Sequence, residues 1–145
     1  YNLAHEFAEK YNLKIVTIPY AVGNIEDTID DDFGDYRIGK ASSGDFISLI
    51  KYSSYVFTDS FHCCAFSIIF NRQFFSFPRV NLPKMEGRLE SLTELFGCSE
   101  RFCRYEDNQT IDYLISCDDV SYNFKNFTLM KEKSVLFLKA ALGGK

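Results

Sequence analysis

Tyr55-Val56-Phe57-Thr58-Asp59-Ser60-Phe61-His62-Cys63-Cys64-Ala65-Phe66-Ser67-Ile68-Ile69-Phe70 is the stretch around which the rest of the chain is arranged. Its opening, Tyr55 to Thr58, is a short β-branched and aromatic run that reads as a buried strand, and Phe61, Ala65, Ile68 and Ile69 then recur at helical spacing. The polar residues fall at the join. In an α/β sheet such a join lies at the carboxyl end of a strand and the amino end of a helix, where unpaired N–H groups and the helix dipole favour an anion. Ser60 is a suitable N-cap, and His62 falls in the first helical turn with its imidazole near the same anion. The same residues also fit a capped helix with a surface histidine and no ligand.

Composition narrows the field. With 145 residues and 46% hydrophobic content, the chain can bury one core, so 1–145 reads as a single α/β domain. Fifteen Phe and nine Tyr argue for dense packing and against disorder. A formal net charge of -4 and a pI near 5.2 give no general pull toward nucleic acid or an anionic membrane, so an anionic ligand must be held by a local site. The five cysteines are odd in number, include the adjacent pair Cys63 and Cys64, and form no double CxxC pattern, which fits a reduced cytoplasmic setting and no bound metal. No apolar run approaches the ~20 residues of a membrane span.

Around the central stretch the pattern alternates. Leu3, Ala4, Phe7, Ala8 and Tyr11 form one face of a first helix, and Lys14 to Ile18 reads as a strand stopped by Pro19. A helix followed at once by a strand is what remains of a βα unit lacking its first strand, so the chain is expected to begin inside a domain of a larger protein. Residues 20–43 read as a long polar loop with an acidic cluster of Asp27, Asp30, Asp31, Asp32 and Asp35, and Ser42 or Ser43 caps a helix from Asp45 to Tyr52. Gly44 at that helix start leaves room for a phosphate or carboxyl group against the backbone, or simply makes a tight turn. Phe74 to Phe77 is an aromatic strand ended by Pro78, which puts Arg79 on the same carboxyl edge of the sheet as Ser60 and His62. Leu89, Leu92, Leu95 and Phe96 mark a short helix stopped by Gly97, a short helix or turn covers 112–115, and 123–142 reads as a C-terminal helix. The order implies a parallel sheet with helices on both faces.

Thr58-Asp59-Ser60-Phe61-His62, continued by Ala65 to Phe70, resembles the signature of the polysaccharide pyruvyl transferase family, with Gly44-Asp45-Phe46-Ile47, Phe74 to Arg79, Arg88-Leu89 and Lys133 to Leu138 matching in order. That resemblance implies that the chain is the C-terminal half of the larger protein, a Rossmann-like domain similar to the second domain of a glycosyltransferase of the B type, with a separate N-terminal domain as its partner across a cleft. It also implies an enzyme that transfers a pyruvyl group from phosphoenolpyruvate, a co-substrate with no other cofactor, to a sugar of a bacterial cell-surface polysaccharide or exopolysaccharide. The reaction is expected in the cytoplasm, at the inner face of the membrane. By motif position His62 is the catalytic or phosphate-contacting residue, and Ser60, Asp59, Gly44, Arg79 and Arg88 bind substrate. Cys63 stands where the family commonly has glycine. The isolated chain is expected to be inactive, because half of the cleft is absent. Two other readings fit the same pattern: a nucleotide-sugar-dependent glycosyltransferase of that architecture, or a non-catalytic Rossmann-like binding domain.

Overall fold

The computed structural model describes residues 1–19, 33–78, 86–104, 110–117 and 121–143. Its centre is a parallel pair of strands, β3 (Tyr55–Thr58) and β4 (Gln73–Ser76), joined by helix α3 (Phe61–Ile69). The register is Tyr55↔Gln73 through Thr58↔Ser76, and Phe102 adds a parallel bridge beside Ser76. Because neighbouring side chains on a strand point to opposite faces, the fully buried Phe74 and Phe75 anchor two separate cores. Phe74 packs with Cys64 and Ile68 of α3, Leu89 of α4 (Glu86–Leu95) and Phe96. Phe75 packs with Phe7 of α1 (Asn2–Lys10) and Leu114 of α5 (Ile111–Ser116). This pair therefore carries helices on both faces, as an α/β arrangement requires.

A second parallel pair, β1 (Val16–Thr17) with β2 (Tyr36–Arg37), is hydrogen-bonded separately, so the described strands form two two-stranded sheets and not one continuous sheet. β2 lies inside the stretch read as loop. Nothing in its sequence announces it, because it is two residues long and exposed; Asp35 fixes it by accepting hydrogen bonds from the Ile15 N–H at 2.9 Å and the Lys14 ammonium at 2.8 Å. The cluster members Asp27, Asp30, Asp31 and Asp32 lie outside the described residues, as does Arg79.

Helix ends follow local chemistry. Asn12, Asn71 and Gly97 adopt positive φ immediately after α1, α3 and α4. Each closes a Schellman motif, with the following residue donating back five positions: Leu13 to Ala8 at 2.8 Å, Arg72 to Ser67 at 2.7 Å, Cys98 to Thr93 at 2.8 Å. The inward face of α3 differs from the expected one. Cys64, Ser67 and Ile68 are buried, whereas Ile69 is 64% exposed, because the face meeting β4 and α4 runs one residue earlier than the hydrophobic count implied. The Ser67 hydroxyl tolerates this burial by donating to the Cys63 carbonyl at 2.8 Å.

Helix α6 (Lys125–Ala141) buries none of its residues and meets the body through Phe124 and Phe127 against the Phe96 ring, with centroids 5.2 and 5.3 Å apart. Arg101, at the end of a 3-10 turn (Ser99–Arg101), is fully buried with its guanidinium 4.7 Å from the Phe75 ring centroid and a hydrogen bond to Gln73 Oε1.

Two glycines test the backbone argument. At Gly34, φ is +98° and a Cβ would sit 2.5 Å from Thr17 Oγ1, whereas at Gly97, φ is +65° and the nearest neighbour, Asn123 Cβ, is 3.5 Å away. Gly97→Ala is expected to cost about 1 kcal/mol through conformational strain alone, and Gly34→Ala about 2–3 kcal/mol because the clash adds to the strain. Urea unfolding of the two variants checks the order.

Candidate functional site

The join between β3 and α3 is built as a tight turn. Thr58 ends the strand with its carbonyl accepting from the Phe77 N–H at 2.9 Å, and its hydroxyl accepts the Ser60 N–H at 3.0 Å. Ser60 occupies the N-cap position with extended backbone, yet its hydroxyl makes no capping hydrogen bond, which corrects the expectation that this serine caps the helix. Thr58 and Ser60 instead turn their hydroxyls toward the Cys63 thiol. The Ser60 side chain therefore does not cap the first amides of α3, and the amino end of a helix attracts an acceptor.

Cys63 does not intrude as a reactive thiol. Burial raises its pKa above the ordinary thiol value, the Thr58 and Ser60 hydroxyls oppose the rise, and the charge of Asp59 adds to it. Burial likewise pushes the Cys98 thiol up to about 12, and all five cysteines are free.

Helix α2 (Ser43–Tyr52) ends in the opposite condition. Ser42 and Asp45 form a complete capping box: the Asp45 N–H donates to the Ser42 hydroxyl at 3.1 Å, and the Ser42 N–H donates to the Asp45 carboxylate at 2.9 Å. The amino end of α2 already holds a carboxylate of its own. The Ser42 hydroxyl and backbone N–H hold that carboxyl below its usual range. Gly44 lies exposed one residue into this helix, and a Cβ there would meet only Ser42 Oγ at 3.7 Å, so packing places no demand for glycine.

His62 is exposed, with its ring edge-on to Phe61 at 5.9 Å between centroids. It stands on the rim of an open cavity of about 430 Å³ whose other walls include Ile18, Ala41, Ser43, Phe46 and Phe66. The cavity thus collects the carboxyl end of β1, the amino end of α2 and the first turns of α3 at one edge. The Arg88 guanidinium of α4 lies 5.8 Å from the Phe61 ring centroid. The structure therefore brings His62, Ser60, Asp59 and Arg88 to the α3 amino end and Gly44 to the neighbouring helix end. The cavity walls Phe46 and Phe66 were not singled out from sequence, since each also reads as an ordinary core aromatic. Among the described residues no group of three or more His, Cys, Asp or Glu side chains gathers as a metal site, and no helix is long and apolar enough to cross a membrane.

The sequence model of the polysaccharide pyruvyl transferase family matches residues 2–79. The chain belongs to the polysaccharide pyruvyl transferase family. No curated protein and no solved structure matches the chain. The span matched to the pyruvyl transferases runs from α1 through β4, so it contains both helix starts and His62, and it stops before Arg88.

The capping box gives two expectations. Gly44→Ala is expected to keep or raise stability by up to about 1 kcal/mol, since alanine is the better helix former, and any loss of ligand affinity in that variant then reports close backbone approach. Asp45 titrates below its unfolded value, so its contribution to stability is present above the unfolded carboxyl pKa of about 4 and is lost as pH falls through the lower folded value. Asp45→Asn is accordingly expected to lower the thermal midpoint at pH 7, with the deficit closing at the acid end of a pH series.

Proposed function

We propose that this chain supplies the phosphoenolpyruvate-binding half of a pyruvyl transferase that builds a ketal on a sugar of a cell-surface polysaccharide or exopolysaccharide. The observation that carries the reading is His62, set beside the uncapped amino end of α3 and on the rim of a cavity, within the span matched to the family. Phosphoenolpyruvate presents a phosphate and a carboxylate. Uncapped amides suit the first, and the guanidinium of Arg88, with that of Arg79, suits either.

In the proposed reaction the methylene carbon of phosphoenolpyruvate gains a proton and the adjacent carbon bonds to one sugar oxygen. The bond to the phosphate oxygen breaks, inorganic phosphate departs, and a second sugar oxygen closes the ketal. Two hydroxyl protons are lost, one ending on the new methyl group and one on phosphate. An imidazole is suited to carry either proton, since its ordinary pKa of about 6.5 lies close to neutrality. Ser60 and Asp59 shape the turn that presents these groups. A Rossmann-like relationship to glycosyltransferases of the B type, with an upstream domain completing the cleft, belongs to the same proposal and is supported by the family membership and by the helices on both faces of β3 and β4.

Phosphoenolpyruvate at millimolar concentration is expected to raise the thermal midpoint of the full-length protein, by an amount corresponding to about 2.7 kcal/mol at a hundredfold excess over Kd. His62→Ala and Arg88→Ala are each expected to shrink the shift. An absent shift with phosphoenolpyruvate but a clear one with a nucleoside diphosphate would replace this donor by a nucleotide sugar.

A further inference from the structure

We infer that the cavity beside His62 is the acceptor subsite and takes a neutral sugar ring, leaving the anionic donor to the opposite side of the imidazole. This rests on the reading above and adds to it which side of His62 each substrate occupies. Among the described residues, no wall of the cavity apart from His62 carries an ionisable side chain; the described walls are Ile18, Ala41, Phe46, Ile47 and Phe66 with the hydroxyls of Ser42 and Ser43. A multiply charged anion seated there would lose hydration against apolar groups, with no lysine or arginine among the described walls to replace it. The adjoining helix end offers it little, because the Asp45 carboxylate holds both the N–H and the hydroxyl of Ser42 at 2.9 and 2.7 Å. The anion is favoured instead at the amino end of α3, which the Ser60 side chain does not cap and where Arg88 lies 5.8 Å from the Phe61 ring centroid.

The same walls suit a sugar. A pyranose has one apolar C–H face and a rim of hydroxyls, and the cavity pairs two aromatic rings, Phe46 and Phe66, at 6.3 Å and near a right angle, with the Ser43 hydroxyl. Its volume of about 430 Å³ falls in the range of about 300–1,000 Å³ usual for small-ligand sites. His62 then stands between acceptor and donor, where one imidazole can accept a proton from the sugar hydroxyl on one side and face phosphate on the other.

The test uses the full-length protein with isoleucine methyl groups and histidine rings labelled for NMR. It is titrated separately with phosphoenolpyruvate and with a panel of neutral methyl hexopyranosides. At least one hexoside is expected to shift the Ile18 and Ile47 methyl signals, and phosphoenolpyruvate to shift the His62 ring while leaving those methyls in place. Ala41→Phe, which narrows the cavity, is expected to weaken that hexoside at least tenfold and phosphoenolpyruvate less than twofold. If phosphoenolpyruvate shifts the isoleucine methyls and is the ligand weakened by Ala41→Phe, the subsite assignment is overturned and the donor reading stands. Binding of phosphoenolpyruvate with no hexoside reaching the cavity overturns the assignment in the same way. If phosphoenolpyruvate binds nowhere, the donor reading falls and the assignment falls with it.

Discussion

Two adjacent phenylalanines in one strand hold this molecule together. Phe74 and Phe75 are both fully buried, and because they leave β4 on opposite sides, each requires its own layer of helices. Burying each side chain stabilises by roughly 1.5–3 kcal/mol, so neither layer can be removed without exposing an anchor of the sheet. The parallel register with β3 transmits this constraint to the join at Thr58, since Thr58 pairs with Ser76 at the end of the same ladder. The position of His62 is thereby fixed from the core outward and not by contacts at the surface.

The two helix ends that meet at the cavity are chemically unlike. One is closed by its own serine and aspartate; the other has its cap serine turned toward a thiol. A helix end satisfied internally is a structural feature, whereas one that its own cap serine leaves open beside a cavity retains its field for a ligand. This difference in hydrogen bonding, and not any difference in the helices themselves, gives the site its polarity. The proposed division into a donor side and an acceptor side accords with a family whose name joins a small acidic group to a sugar.

Arg101 and α6 show where the fold departs from the lowest-cost arrangement. Arg101 is buried with Nε and Nη1 lacking hydrogen-bond partners among the described residues, its charge eased only by the Phe75 face and Gln73. In α6, Leu136 and Phe137 are 66% and 72% exposed, so that helix gains little from the body to which Phe96 ties it.

The sequence alone determined the order of elements around the centre, because local chemistry decides it: aromatic and β-branched runs make β3 and β4, a cap serine at 42 or 43 starts α2, and Gly97 ends α4 in the left-handed conformation that glycine adopts without strain. It also determined that Ser60 and His62 lie at a strand-to-helix join, since the change of period from two to 3.6 occurs there. Tertiary structure decided the rest. Two exposed residues became β2 because the neighbouring Asp35 clamps them to the distant Lys14 and Ile15 beside β1, a pairing with no local signature. The inward face of α3 shifted off Ile69 because the faces of β4 and α4, and not hydrophobic count, choose which side of a helix is buried. The cavity itself, assembled from three segments far apart in sequence, exists only once long-range packing brings their ends to one edge.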